Sequence, residues 1–445
     1  MKRIYMSFLL TICSILKAQE LQFIDAIDLE DHKITYYVNQ EFHTIYLRDN
    51  LFVEYEPDIN LWDLDYTIIT MPLIMNTIGM IWISGNDYVI DAMDKELYHS
   101  LELIRTIFRR FYPKTSFNGN LIPKKLVDNS PKPSANAAKI ALPFSHGLDS
   151  LCTSLRLRKT PQLLITARGL PDTPLALWDR NWRFTIHSIE QYAALHGHTV
   201  SLLQTNFHEF FNWTYLCTLS PEIYNWRICM VEGLGWMGLT APILVSKGYN
   251  KFILPANSDW TTAHPGADCP LINDNVTFAG IVIKSEGFEL TRMEKNKLIA
   301  NICNDEDLEK PFLMICENVL PRRKNCCQCE KCIASMLSFL LINEDPKQYG
   351  FNMPIPDFFD YVKSTFIPVT KLEDYPANWF KYCQQEAREK LTQMNSDEHA
   401  FFSWFITIDF DAITIPCNSI TIDYSQFLDV YPYIPQSALQ GKGRA

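Results

Sequence analysis

Residues 144–150 read FSHGLDS and directly follow the apolar run 139–143. Gly147 allows a sharp turn and a close approach of the backbone to a ligand. The amides after it open a new helix, where unpaired N–H groups and the positive end of the helix dipole attract anions. Ser145 and Ser150 can donate hydroxyls to phosphate oxygens, and Asp149 can bind Mg²⁺ or cap the helix. The stretch therefore predicts a phosphate-binding turn, with an ordinary strand–turn–helix connection capped by Asp149 as the alternative.

His146 is the unusual position of this loop, because a phosphate-binding turn would be expected to carry another glycine there. Its Cβ and imidazole could crowd a bound phosphate, or the ring could add a hydrogen-bond donor to it. The sequence leaves these two possibilities open.

From Lys139 onward, strand-like runs alternate with helical segments. Such alternation predicts a parallel sheet covered by helices on both faces. The predicted strands are 139–144, 162–166, 198–204, 251–255, 280–284 and 312–316, and the predicted helices are 179–196, 226–247 and 291–303.

The flanking regions have a different character, and a chain of 445 residues exceeds the roughly 100–200 residues typical of one domain. We therefore predict an N-terminal α+β accessory domain with linker (1–135), an α/β domain (136–345) and a C-terminal mixed accessory region (346–445). Within the flanks we expect a hairpin over 33–48 turning near Asn39-Gln40, strand-like runs over 63–83, a helix within 91–112, a linker over 118–137 and one helix near 377–394.

Composition restricts the class of protein. A net charge of −11 argues against a broad nucleic-acid surface, which is normally basic. The first 20 residues weakly imitate a secretory signal, with Lys2 and Arg3 before an apolar stretch. No apolar run approaches the roughly 18 residues of a membrane span. A chain this long does not need disulfides, so its 13 cysteines favour a reducing, cytoplasmic location.

Four cysteines near the end of the predicted α/β domain have the spacing of a metal site. Cys326, Cys329 and Cys332 form C-x2-C-x2-C, and Cys316 lies ten residues upstream. Four thiolates complete a closed tetrahedral zinc site, which is typically structural. An iron–sulfur cluster is the chemical alternative. Cys327 breaks the spacing and is interpreted as a neighbour of the site.

The loop resembles the Ser-Gly-Gly-x-Asp-Ser signature of the PP-loop ATP pyrophosphatases, with His146 in place of the first paired glycine. Together with C-x9-C-x2-C-x2-C, it resembles the QueC (7-cyano-7-deazaguanine synthase) family over residues 139–342. The resemblance implies a HUP-like (adenine nucleotide alpha hydrolase-like) fold with a zinc knuckle. It also implies ATP bound with Mg²⁺ over Ser145, His146, Gly147, Asp149 and Ser150.

The resemblance also suggests residues for the substrate and for the phosphates. Residues 255–274 correspond to a substrate-recognition loop and contain Ser258, Asp259, His264 and Asp268. Lys295 and Arg292 are the expected phosphate-neutralising cations, with Lys297 as a substitute and a solvated helix face as the alternative for Lys295. From its place after the third predicted strand, where ligands bind in open α/β sheets, Asn206 is a further substrate candidate.

The implied activity is ATP-dependent adenylation of the carboxylate of 7-carboxy-7-deazaguanine, followed by attack of an amine to form an amide. A QueC-like domain flanked on both sides, as here, resembles a branch of the family associated with anti-phage defence, in which the amine is the N-terminus of a partner protein. Formation of the nitrile with ammonia is the alternative within the family. A nucleotide-binding scaffold without turnover is the alternative of another class. We disfavour tRNA thiolation, because sulfur transfer needs an exposed reactive thiol.

Overall fold

The computed structural model describes residues 21–130, 139–171, 173–175, 179–316, 325–415 and 422–440. The signal-like segment 1–20 lies outside the described residues. The strands are β1 (Leu21–Gln22), β2 (Ile24–Leu29), β3 (Lys33–Val38), β4 (Phe52–Tyr55), β5 (Asp87–Ile90), β6 (Met93–Asp94), β7 (Asn120–Pro123), β8 (Leu126–Val127), β9 (Ile140–Pro143), β10 (Gln162–Arg168), β11 (Thr199–Thr205), β12 (Lys251–Pro255), β13 (Thr277–Phe278), β14 (Ile281–Glu286), β15 (Leu372–Glu373) and β16 (Thr414–Ile415).

Helices connect and cover these strands. They are α1 (Gln40–Tyr46), α2 (Tyr66–Ile69), α3 (Met71–Ser84), α4 (Lys95–Phe111), α5 (Leu148–Arg156), α6 (Asp179–His196), α7 (Phe207–Phe210), α8 (Trp213–Leu216), α9 (Glu232–Ser246), α10 (Pro270–Asn273), α11 (Arg292–Asp305), α12 (Glu330–Leu341), α13 (Ile355–Tyr361), α14 (Ile367–Val369), α15 (Asp374–Lys390), α16 (Ser396–Phe405) and α17 (Gln436–Gln440). Single turns of 3₁₀ helix and two π-helical segments, Arg227–Val231 and Val362–Phe366, link several of them.

The centre of the protein is a parallel sheet, which confirms the mixed α/β prediction. Its strands lie in the order β11-β10-β9-β12-β14 and are all parallel. Counted in chain order from β9, this is the arrangement 3-2-1-4-5 of doubly wound sheets. Alternate residues of β9 and β10 enter different hydrophobic clusters, with Ala141 in one and Leu142 in the other. The sheet is therefore covered on both faces.

The N-terminal strands extend this same sheet. Strand β4 pairs antiparallel with β11, and β3 and β2 continue beyond it. Hydrogen bonding therefore crosses the predicted boundary at 135/136, and whether 1–135 forms a separate unit stays a prediction. The predicted linker 118–137 contains β7 and β8, which pair with β5 and β6; its residues 131–138 lie outside the described part.

Three predicted elements are wrong. Asn39 does not turn a hairpin, because its side chain accepts hydrogen bonds from the amides of Glu41 and Phe42 and caps helix α1. The strand-like run 63–83 forms helices α2 and α3, since a short buried apolar run does not show its period. Residues 312–316 form no strand, because the amide of Leu313 donates to the Tyr349 carbonyl in a 3₁₀ turn and that of Met314 to the His146 carbonyl in a loop.

Residues Arg227–Ser246 correct a further expectation. This helical stretch has 20 residues, and its most apolar 18-residue window has a mean hydropathy of 1.6, so it could span a membrane by length and composition alone. In the structure, 78% of its most apolar window is buried inside the protein, as in a core helix. Its α9 part packs against α3.

The C-terminal region covers two different parts of the protein. The helix expected near 377–394 is α15, which packs on α12 and α11. Residues 422–434 return to the N-terminal part, where Asp429 pairs with Arg110 and Phe427 packs against Phe111. Within the described residues, the C-terminal region thus contacts both the helices beside the candidate loop and the N-terminal helix α4.

Asn206 joins the N-terminal strands to the parallel sheet. Its Oδ1 accepts from the Phe52 amide at 2.9 Å, and its Nδ2 donates to the Asn50 carbonyl at 2.8 Å. The side chain is buried, so both of its polar ends serve the fold.

We expect Asn206→Ala to lower the free energy of unfolding by about 1–3 kcal/mol, because the buried Phe52 amide loses its acceptor. Urea denaturation measures this change. Asn301→Ala, at an exposed position of α11, is the matched control and should leave stability within about 0.5 kcal/mol of the wild type. Equal urea midpoints for the two variants would show that the Asn206 side chain does not stabilise the fold.

Candidate functional site

The candidate loop lies where the order of the sheet reverses. Strand β9 is followed by a connection to β10 on one side, whereas its other neighbour, β12, leads onward to β14. In open α/β sheets, the connections after two such strands diverge and leave a crevice at their carboxyl ends. Residues 144–147 after β9 and residues 256–268 after β12 border this crevice. The fold thus brings the loop and the expected substrate segment to one edge.

Serine hydroxyls hold the loop in shape. The Ser145 amide donates to Ser150 Oγ at 3.3 Å, and Ser150 Oγ donates to the Gly147 carbonyl at 3.2 Å. The Gly147 amide donates to Ser145 Oγ at 3.3 Å. Gly147 is the N-cap of α5, and no side chain accepts from the first amides of this helix. Those amides are donors available to an anion.

His146 occupies the left-handed backbone region, with φ of 60°, which glycine would adopt without strain. Its ring is 4% exposed and packs against Phe144 and Tyr192, with centroid distances of 5.5 and 5.4 Å. Burial, with a smaller contribution from His196, lowers its pKa to about 4, so the ring is neutral near pH 7. The imidazole is therefore packed among aromatic side chains rather than exposed beside Ser145.

Two buried cations on α11 stand near the loop. Lys295 Nζ donates to Asp149 Oδ1 at 2.8 Å and to the Ala256 carbonyl at 2.5 Å, and so joins the segments after β9 and β12. Its side chain is 3% exposed. Arg292 lies one turn earlier, and its Nε and Nη2 are buried without a hydrogen-bond partner in the described part of the chain.

The helix α11 that carries these cations begins with a capping box. Thr291 accepts from the Glu294 amide, and the Glu294 carboxylate accepts from the Thr291 amide. This pair fixes the first turn of the helix and thereby the starting direction of Arg292 and Lys295. Lys297 points elsewhere, since it is exposed.

Asp149 balances these charges. Burial raises the pKa of its carboxyl, but the charges of Lys295 and Arg292 and the hydrogen bond from Lys295 outweigh burial and hold it below its ordinary value. Asp149 is therefore ionised near pH 7 and paired with Lys295. The pair leaves the positive charge of Arg292 only partly compensated.

The four residues of the expected substrate loop differ in their environments. Asp259 accepts from the amide and hydroxyl of Thr261, and it therefore organises the loop. Ser258 is half-buried in the same loop. Burial lowers the pKa of His264, which lies between the rings of Tyr224 and Tyr375.

Asp268 is the most perturbed acid of this loop. Burial, followed by the charge of Glu232, raises its pKa to about 7, although a hydrogen bond from Asn257 and the charge of Arg227 oppose the increase. Asn257 Nδ2 donates to Asp268 Oδ2 at 2.7 Å. A carboxyl that is part-protonated near pH 7 can both donate and accept hydrogen bonds, and so can pair with a ligand that carries donors and acceptors side by side.

Helix α15 contributes aromatic residues that sequence reasoning missed. Tyr375 donates to the Asn257 carbonyl, Tyr382 bonds with the Thr261 hydroxyl at 2.8 Å, and Trp379 stacks on Arg292. Their spacing of four and three residues places them on one helix face. This spacing is visible in the sequence, but it does not reveal where the helix docks.

The cysteines expected to bind metal come together. The Sγ atoms of Cys316, Cys326, Cys329 and Cys332 all lie within 4.8 Å of one another. The Sγ atoms of Cys326 and Cys332 are 3.9 Å apart. A regular tetrahedron with zinc–sulfur bonds of about 2.3 Å requires about 3.8 Å. The cluster could therefore bind a metal such as zinc.

Local backbone geometry prepares this cluster. The amides of Gln328 and Cys329 donate to Cys326 Sγ at 3.3 and 3.2 Å, which stabilises a thiolate. Cys327 has φ of 59° and its Sγ lies near the Asn325 carbonyl, outside the cluster. Every cysteine in the described residues is free of disulfides.

No protein-family model matches the chain, and no curated protein sequence matches it significantly.

We expect Cys329→Ser to lose most of its bound zinc, because three thiolates and a hydroxyl hold this soft cation poorly. Metal analysis of the purified variant by mass spectrometry measures the zinc-to-protein ratio. Cys327→Ser is the matched control and should retain a ratio near one. An unchanged ratio in Cys329→Ser would rule out the four-thiolate site.

We expect Lys295→Met to lower the free energy of unfolding by about 3 kcal/mol near pH 7, because it leaves the Asp149 carboxylate in a partly buried place without its partner. The control is Lys297→Met on the exposed side of the same helix, which should stay within about 0.5 kcal/mol of the wild type.

The pH dependence gives a second readout of the same pair. Since the folded-state pKa of Asp149 is lowered, its pairing stabilises the wild type fully above the unfolded value of about 3.9 and is lost as pH falls through the folded value. Urea titrations between pH 3 and 7 should show this acid loss in the wild type and in Lys297→Met. Lys295→Met should lack it, and an acid profile like that of the wild type would contradict the pairing.

Proposed function

We propose that the protein activates a carboxylate with ATP and transfers the resulting acyl group to an amine. The observation that carries the proposal is the pair of buried cations on α11, of which Arg292 keeps two donors without a partner in the described residues. These cations stand beside an open helix N-terminus at the reversal point of a doubly wound sheet. Buried donors left without acceptors are costly, so an anionic ligand is the natural partner.

ATP would bind with its phosphates over residues 145–150. The loop amides and the hydroxyls of Ser145 and Ser150 would hold phosphate oxygens, and Lys295 and Arg292 would neutralise the leaving pyrophosphate. Asp149 lies where a Mg²⁺ accompanying the nucleotide would need an oxygen ligand, although Lys295 holds its Oδ1 in this structure. His146 supplies only its left-handed backbone to this loop.

The chemistry would proceed in two displacements. A substrate carboxylate oxygen attacks the α-phosphorus of ATP, the bond from that phosphorus to the bridging oxygen of the β-phosphate breaks, and pyrophosphate leaves. An amine then attacks the acyl carbon of the adenylate, AMP leaves, and loss of a proton from nitrogen gives the amide. The protein's contribution is to position the groups and to stabilise developing negative charge.

We propose a 7-deazaguanine carboxylate, 7-carboxy-7-deazaguanine, as the substrate, on the strength of the sequence resemblance to the QueC family. The segment after β12 supports this choice because Asp268 and Asn257 offer a polar edge beside the phosphate loop, and Tyr375 and His264 offer ring surfaces. The amine acceptor would be a partner protein's N-terminus, as in the anti-phage branch, or ammonia. The four-cysteine site would hold zinc in a structural role.

We expect the purified protein to release AMP and pyrophosphate from ATP with Mg²⁺ when 7-carboxy-7-deazaguanine and an amine are both present. Chromatography of the nucleotides measures AMP, and mass spectrometry distinguishes an amide from a nitrile. Asp149→Asn should reduce AMP release at least tenfold, because Lys295 loses its charged partner. Lys297→Met, which lies outside the site, should keep the wild-type rate.

Each outcome assigns a function class. AMP formed only with the deazaguanine supports the proposal, and AMP formed equally with acetate in its place refutes the substrate. Binding of ATP without AMP under any condition would refute turnover and favour a nucleotide-binding scaffold.

A further inference from the structure

Helix α15 lies in the C-terminal region, yet its aromatic face contacts both sides of the candidate site. Tyr375 and Tyr382 bond to the segment after β12, at Asn257 and Thr261. Trp379, between them on the same face, contacts the cation-bearing helix α11. A single rigid helix therefore spans the substrate segment and the phosphate-binding residues.

Trp379 covers one face of the Arg292 guanidinium. The guanidinium carbon lies 4.8 Å from the centroid of the indole ring, within the range of a cation–π contact. Both side chains are buried, with Trp379 5% exposed and Arg292 8% exposed. The indole thus fixes the plane of a charged group that would otherwise rotate about several bonds.

Two N–H groups of the same guanidinium have no acceptor in the part of the chain that the structure describes. Its Nε and Nη2 lack hydrogen-bond partners within the described residues, although both atoms are buried. Arg292 lies one helical turn before Lys295, whose ammonium bonds to Asp149 at 2.8 Å, so Arg292 stands on the turn of α11 that adjoins the candidate loop. Stacking uses the face of the group and leaves its N–H donors along the edge, where a planar fork can bind phosphate oxygens.

We infer that Trp379 is a positioning residue of the nucleotide site: it holds Arg292 with its free N–H edge towards the phosphates, and so makes the C-terminal helix part of ATP binding. The inference rests on the proposed function. It adds a residue of the C-terminal region 346–445 to the nucleotide site, and the sequence of the loop 144–150 gives no sign of this contribution. Without the indole, Arg292 remains charged but is no longer held in one orientation.

The test is calorimetric titration of the full-length protein with Mg²⁺-ATP and, separately, with inorganic pyrophosphate. Trp379→Leu should weaken both by about tenfold, and Trp379→Phe, which keeps an aromatic face, should weaken them by about threefold or less. The matched control is Trp404→Leu. It removes a cation–π contact of the same kind, with Lys363 at 5.5 Å, in a part of the protein that the site does not include, and should bind as the wild type does.

A double-mutant cycle distinguishes positioning from general damage to the fold. If Trp379 acts through Arg292, then Trp379→Leu should have little further effect on ATP affinity in an Arg292→Gln background. Circular dichroism and urea denaturation of the same samples verify that each variant is folded. Equal tenfold losses in both backgrounds, or unchanged binding by Trp379→Leu, would overturn the inference.

The same titrations separate this inference from the proposed function. If the wild type binds ATP and pyrophosphate and Trp379→Leu binds them with the same affinity, only the role of Trp379 is contradicted. Wild-type protein that binds neither ligand contradicts the nucleotide site itself, and with it both proposals.

Discussion

The bridge made by Lys295 is the constraint on which the site depends. One buried ammonium joins the Asp149 carboxylate, in the helix after β9, to the Ala256 carbonyl, after β12. These are the two strands between which the order of the parallel sheet reverses. Because a buried charge without partners is very costly, the bridge sets the spacing between the two segments. It also places Arg292, three residues earlier on the same helix, beside the candidate loop.

The parallel sheet could be predicted from the sequence because its strands are apolar runs separated by helices that begin and end clearly. Helix 179–196 has the predicted bounds, and spacing alone selects the four cysteines whose Sγ atoms come together. The failures occurred where local signals compete. Asn39 suits a turn and a helix cap equally well, and the buried helix α3 is apolar on all sides. Residues 312–316 are apolar like a strand, but the amides of Leu313 and Met314 bond to Tyr349 and His146, outside any sheet.

His146 shows why the site was harder to predict than the fold. From the sequence, a side chain in place of glycine either crowds the phosphate or contacts it. In the structure, the left-handed backbone at this position accompanies a ring buried against Phe144 and Tyr192. The substitution therefore costs backbone strain and gains packing, while the first amides of α5 keep no side-chain acceptor. Sequence patterns cannot give the direction of the His146 ring, since it depends on a neighbour 46 residues away, Tyr192.

The loop is also supported from the side of the cysteine cluster. The Met314 amide donates to the His146 carbonyl at 2.9 Å, and Asn325 donates to the Leu313 carbonyl at 2.7 Å. Leu313 and Met314 lead into Cys316, and Asn325 directly precedes Cys326. A metal bound by Cys316 and Cys326 would therefore fix the segment 313–316, which bonds to His146, and also Asn325, which bonds to that segment. The same hydrogen bonds explain how two features far apart in sequence belong to one arrangement: the segment before Cys316 holds the loop 144–150 through His146, and Asn325, beside Cys326, holds that segment.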